Sequence, residues 1–100
     1  MTTRFVRIEY VIRDDVNLDE VEKAIAEFVA GIRAHHPEHR YTSYRHAKEP
    51  RHFIQIGELV ESAAASLQTE PFFPRFTAFL RERCATGPEV TALTRVATAR

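Results

Sequence analysis

The stretch from Arg4 to Ile12 limits the possible folds more than any other part of the chain. Val6, Ile8, Tyr10 and Ile12 alternate with Phe5, Arg7, Glu9 and Val11, the period-two pattern of a β-strand whose successive side chains point to opposite faces. The second face carries Phe5 and Val11, so it too is partly apolar. A strand with one wholly solvated face has no use for such residues, and both faces of the sheet built on it are expected to be covered.

The remaining sequence supplies cover for one face. Leu18, Val21, Ile25, Phe28 and Ile32 fall at three- and four-residue steps and form one stripe of a helix. Asn17 with Glu20 can close a capping box at its start, and Pro37 stops it near His35. Tyr41 to Arg45 and His52 to Leu59 read as two strands joined by the polar turn HAKEPR, an antiparallel hairpin. Ser62 is placed to cap a second helix. Pro71 and Pro74 break that helix before Phe72, Phe76, Phe79 and Leu80 resume helical spacing. The segment ATGPE ends it, and Val90 to Ala99 is expected as the last strand.

This order, βαββαβ, is the ferredoxin-like α+β arrangement: a four-stranded antiparallel sheet with two helices on one face. One hundred residues make a single domain, residues 1–100, with room for one core. The simplest cover for the other sheet face is a second copy of the chain, so a homodimer is expected.

Composition narrows the function. Fourteen basic and fourteen acidic side chains cancel, which removes the broad positive field that nucleic acid or an anionic membrane surface attracts. No window approaches a membrane span. Cys84 is the only cysteine, so no internal disulfide forms. Arg4, Arg7 and Glu9 interrupt the apolar residues a signal peptide would need, and a cytoplasmic protein is expected.

From Glu49 to Leu80 the chain resembles the antibiotic biosynthesis monooxygenase-like family of the dimeric α+β barrel superfamily. An acidic residue and Pro in the turn (Glu49, Pro50), a strand of the form Phe-x-x-x-x-Glu (Phe53, Glu58), a helix opening with Ser62, and a Pro-Phe run before a longer helix (Pro71, Phe72, Phe76) carry the likeness. The resemblance implies a homodimeric barrel and a cofactor-independent monooxygenase acting on a small aromatic or polyketide-like compound. The alternative is a non-catalytic small-ligand-binding or accessory homodimer on the same scaffold. Many members carry a Trp after the third strand and a His on the next helix. This chain has Leu59 near the first place and Leu67 or Gln68 near the second, so haem ligation through that His is not supported and no cofactor is expected.

Five histidines lie between His35 and His52. Pro37 breaks helical spacing between His35, His36 and His39, and these are read as solvent-exposed trim of a helix end, not as metal ligands. His46 and His52 flank the hairpin turn and are expected to sit across from each other. Ligand contacts are expected from the sheet and the interrupted helix, where a mostly apolar pocket with a few polar groups suits a flat organic molecule. Tyr44 and Gln68 are the candidate catalytic residues. Tyr10, Gln55, Phe72 and Phe76 are the candidate ligand-binding residues, set against the plainer reading that a Phe stripe is core and a strand Tyr needs only one hydrogen-bond partner. Arg7 and Arg45 are read chiefly as solvated or cross-strand-paired charges, and Cys84 as a plain helix-end thiol.

Overall fold

A computed structural model describes residues 2–99. Four strands, β1 (Thr3–Ile12), β2 (Arg40–Arg45), β3 (His52–Val60) and β4 (Cys84–Leu93), form one sheet in the order β2-β3-β1-β4, and every neighbouring pair is antiparallel. Helix α1 (Leu18–His35) follows β1. A 3-10 turn (Glu61–Ala63), a short helix α2 (Ala64–Thr69) and a longer α3 (Phe72–Arg83) lie between β3 and β4. This is the ferredoxin-like α+β fold, with the second helix split in two.

Helix α1 forms as its stripe requires. Val21, Ile25, Phe28 and Ile32 are buried, and the Asn17 side chain accepts a hydrogen bond from the Asp19 N–H. The expected capping box is only half made, because the Glu20 carboxylate accepts a 2.8 Å charge-assisted bond from Arg83 on α3. Ser62 falls inside the 3-10 turn, and α2 begins at Ala64 without a side-chain cap. The break is where the prolines put it: Glu70 is extended, Pro71 turns the chain, and Pro74 sits in the first turn of α3 where no N–H is missed.

The last strand runs over Cys84–Leu93, six residues earlier than the expected Val90 to Ala99. Helix α3 passes directly into it, and the Gly-Pro pair that reads as a turn is a distortion within the strand. Gly87 has φ +84°, and a Cβ there would lie 2.6 Å from the Glu9 carbonyl oxygen. The β1–β4 register shifts beside it, between Glu9 and Val11. A bulge on an edge strand admits both residues without breaking the sheet.

Register assigns the two faces of the sheet. Val6, Ile8, Tyr10 and Ile12 share the helix-covered face with Phe53, Gln55, Gly57 and Leu59 of β3 and with Tyr41 of β2. Phe5, Arg7, Glu9 and Val11 share the opposite face with His52, Ile54, Ile56 and Glu58, and with Thr42 and Tyr44. The core lies wholly on the first side. Tyr10, Ile12, Phe53 and Leu67 pack there beneath α1, and Phe28 stacks on Phe76 with ring centroids 4.2 Å apart. Among the described residues, no helix covers the second face. Residues after Leu93 reach one end of it, where the Arg95 guanidinium stands 4.4 Å from the centre of the Phe5 ring and donates to Glu58 at 3.2 Å.

Candidate functional site

Between the covered face of the sheet and helices α2 and α3 lies a cavity of about 470 Å³. Val6 and Ile8 of β1 and Leu67, Phe73, Phe76 and Leu80 of the helices give it apolar walls. Tyr41 forms another wall because Gly57 lets its ring lie flat across β3: a Cβ on Gly57 would meet that ring at 2.9 Å. Tyr41 is then held edge-on against Phe28, 5.4 Å away. The exposed Arg4, Gln68, Val90 and Ala92 ring the mouth.

Gln55 lies deep in this cavity. It faces the helices from β3 with Ile8 beside it on β1 and Ser43 on β2, and it is 1% exposed. Its Nε2 has no hydrogen-bond partner among the described residues, a costly condition for a buried donor. Gln68 approaches from α2 at the mouth, and the Thr77 hydroxyl, which donates to the Phe73 carbonyl at 3.1 Å, keeps an oxygen free to accept.

Three of the six candidate residues, Gln55, Gln68 and Phe76, therefore meet on one cavity. The other three lie apart from it. Phe72 lines a more open groove on the outer side of the helical layer, between α1 and α3, whose floor also includes Phe28 and Phe79. Tyr44 stands opposite Ile54 on the uncovered side of the sheet, is 55% exposed, and borders a third cleft near Glu22 and Arg45. Tyr10 is a core residue stacked on Phe53, with ring centroids 5.7 Å apart, and its hydroxyl has no partner among the described residues.

Burial, with smaller contributions from Cys84 and Tyr41, pushes the Tyr10 hydroxyl well above its ordinary range, and burial does the same to Tyr41. Neither phenol ionises near neutrality. Among the described residues, no carboxylate, imidazole or thiol lines the cavity. What the lining can do is exclude water, hold a flat apolar body and direct N–H donors at its oxygen atoms. A proton removed there must go to solvent or to a group the ligand carries.

Arg4, Tyr41 and Thr77 were not among the sequence candidates. Arg4 shares its parity with Val6, Ile8 and Tyr10, so an inward-facing cation at the strand's start was the available signal. Arg7 and Arg45 are both ion-paired, Arg7 with Glu9 at 3.9 Å and Arg45 with Glu22 at 2.7 Å.

Of the three histidines at the helix end, His35 is exposed as expected, whereas His36 and His39 are not solvent-exposed trim. His36 and His39 are buried, and their ligand atoms fall within 4.8 Å of each other and of Glu38. Their hydrogen bonds argue against a metal. The His39 Nδ1 accepts the Val60 N–H at 3.0 Å, so its proton sits on Nε2, which faces the Ala63 carbonyl at 3.4 Å. Neither nitrogen keeps a lone pair for an ion. His36 is spanned by Glu70 at 2.9 Å and Glu38 at 3.5 Å. His36 fastens the α1–β2 connection to the α2–α3 corner, and His39 fastens it to the end of β3 and the 3-10 turn. His46 and His52 do sit across the hairpin, with parallel rings 5.4 Å apart.

The chain is a ferredoxin-like sheet with an apolar cavity between its covered face and helices α2 and α3. No family model and no curated protein matches the sequence. Solved structures do match in fold. Rv0793 from Mycobacterium tuberculosis superposes with a TM-score of 0.82 at 17% identity, over 99% of this chain and 100% of that one. SnoaB from Streptomyces nogalater, a cofactor-independent oxygenase in its N63A form, gives 0.80 at 18% identity over 99% and 98% of the two chains. A crystal structure of an antibiotic biosynthesis monooxygenase gives 0.79 at 18% over 96% and 100%. The chain has the fold of the antibiotic biosynthesis monooxygenases, as the residues between Glu49 and Leu80 suggested. No helix of the described residues is long and apolar enough to cross a membrane.

Proposed function

We propose that this is a homodimeric, cytoplasmic member of the antibiotic biosynthesis monooxygenase-like family that oxidises a small aromatic or polyketide-like compound without cofactor. The observation that carries the reading is the apolar cavity with Gln55 at its base and Gln68 at its mouth. Its volume falls in the range of small-molecule sites, roughly 300–1,000 Å³. The fold it shares with SnoaB supports oxygenation as the chemistry. Their place on the cavity supports the proposed roles, Gln55 and Phe76 binding and orienting the ligand and Gln68 acting at the reacting edge. Tyr10 supports Phe53 from the core, and Phe72 and Tyr44 lie outside this cavity.

The dimer completes the reading. Phe5, Val11, Ile54 and Ile56 are only half-buried in one chain, and Tyr44 and Leu93 on the same face are exposed. A second copy packed sheet to sheet buries them symmetrically, each patch meeting its own image. A second function on the same scaffold, ligand binding without turnover, is favoured by one observation: no acid or base lines the cavity among the described residues.

Oxygen uptake by the purified protein with a panel of anthrones and related polyketide phenols separates the two. Turnover reduced by Gln68→Ala supports the oxygenase. Saturable binding with no uptake supports the binding protein, and no binding at all removes both.

A further inference from the structure

We infer that α2 is a hinged lid over the cavity, and that the contact between His36 and Glu70 is the clasp that holds its far end shut. Its role as a gate rests on the reading of the cavity as a ligand site; its opening does not.

α2 has six residues, too few for a helix to hold itself together in water. It starts without a side-chain cap, buries only Ala64 and Leu67, and presents Ala65, Ser66, Gln68 and Thr69 to solvent. Its main backbone contacts are with its own neighbours in sequence, the 3-10 turn and α3. Yet Ala64, Leu67 and Gln68 all belong to the cavity wall. Part of that wall is therefore an element with little local stability, of the kind that opens while the rest of a fold stays closed.

Two histidines of the α1–β2 connection hold the two ends of this element, and they hold them differently. At the β3 end the His39 side chain is fully enclosed and meets only backbone, the Val60 N–H at 3.0 Å and the Ala63 carbonyl at 3.4 Å. Backbone partners cannot swing aside, so this end is the hinge. At the other end His36 Nε2 meets Glu70 Oε1 at 2.9 Å, and the Glu70 side chain is 34% exposed against 10% for His36. A carboxylate that far out can rotate into water and find its hydrogen bonds there. His36 keeps Glu38 at 3.5 Å from Nδ1, so its ring still has a partner when Glu70 leaves. Glu70 is the extended residue between α2 and α3, where the chain can pivot while Phe76 and Leu80 keep α3 packed. Swinging α2 outward withdraws Leu67 from the wall and Gln68 from the mouth, which opens a wider path to Gln55. Neither His36 nor Glu70 lines the cavity, so the clasp sets the balance between closed and open and leaves the closed cavity as it is.

Hydrogen exchange of the ligand-free, full-length protein tests the lid, with Glu70→Ala, His36→Gln and the double variant compared with wild type. Amides of residues 67–70 should exchange about tenfold faster in either single variant, and no faster again in the double one, while those of α1 and β3 keep their wild-type rates. Unchanged exchange at α2 in Glu70→Ala, which removes the exposed partner only, overturns the clasp, and so does an acceleration spread equally over α1 and β3. Stopped-flow binding of naphthalene, an apolar probe, tests the gate. Association and dissociation should both quicken in Glu70→Ala by a similar factor with Kd unchanged, whereas a wall merely loosened would raise Kd. Rates equal to those of wild type, or a raised Kd, overturn the gate. Failure of naphthalene to bind wild type and variants alike overturns the ligand-site reading and the gate with it, and the exchange rates at α2 still decide the clasp.

Discussion

The two faces of the sheet are built from the same four strands and solve opposite problems. The covered face is apolar, closed by α1 and the α2–α3 pair, and spends its one interior amide on a cavity. The other face alternates half-buried apolar residues with charges that pair among themselves, Glu9 with His52 and Arg7, and Glu58 with Arg95. A monomer's solvent face needs no Ile54 or Ile56, and a buried core tolerates no such density of charge. The mixture supports the proposed dimer, in which apolar residues would supply the attraction and paired charges would fix the register. One face thus stores the fold's stability, and the other is the surface of the proposed assembly.

The largest expected effect breaks that division at the open face. Ile56→Asp places a carboxylate at the centre of β3 on each copy, and a symmetric interface brings in two such charges at once. Burying each unpaired ion costs several kcal/mol, enough to dissociate the proposed dimer at micromolar concentration. Sedimentation equilibrium should report a monomer, and circular dichroism a folded one. An Ile56→Asp dimer would place the partner surface elsewhere. Phe28→Ala attacks the covered face instead. Phe28 is buried, stacked on Phe76, and in edge contact with Tyr41, so its loss should cost about 3–5 kcal/mol by chemical denaturation.

Smaller, and a test of the histidines, is His39→Ala. It strands the Val60 N–H, which now ends at the His39 Nδ1, and should destabilise by about 1–3 kcal/mol. Zinc should leave the melting temperature of wild type unchanged, because Nδ1 is occupied and Nε2 carries the proton. Zinc-dependent stabilisation lost in His39→Ala would overturn the structural role.

These contrasts explain what could be read in the sequence. Element order, the α1 stripe and the hairpin follow from periodicity, because a helix or strand half-covered by one partner must repeat apolar residues on that side. The last strand could not be read so, since Gly87 and Pro88 are turn residues by type and bulge residues only when Glu9 lies opposite. Gln55, Gln68 and Phe76 were legible because parity on β3 and spacing on the helices place them. Tyr44 was not: Tyr41 and Tyr44 differ in parity, and the pairing of Tyr41 with Gly57 puts Tyr41 inside and Tyr44 outside. The burial of His36 and His39 depends on where the 3-10 turn and the α2–α3 corner arrive, far away in sequence, and no local pattern announces it.

The smallest effect sharpens the comparison from its polar side. His52 stands on the open face, bonded to Glu9 of β1 at 2.6 Å and to Glu49 of the hairpin turn at 3.4 Å, with the His46 ring stacked on it and Arg7 beyond Glu9. The hydrogen bond to Glu9, opposed by partial burial and aided by Glu49, raises its pKa above the ordinary imidazole value. The folded state therefore holds this proton more tightly than the unfolded chain does. The resulting stabilisation is complete below the unfolded pKa, about 6.5, and is lost as pH rises through the folded value. Wild type should be more stable at pH 6 than at pH 8.5 by an increment that His52→Gln and Glu9→Gln each remove. If the dimer covers this face, the increment should change with protein concentration, because covering the pair both strengthens its attraction and disfavours the imidazolium. An increment present only in the monomeric Ile56→Asp protein would mean that the partner copy breaks the His52–Glu9 bond.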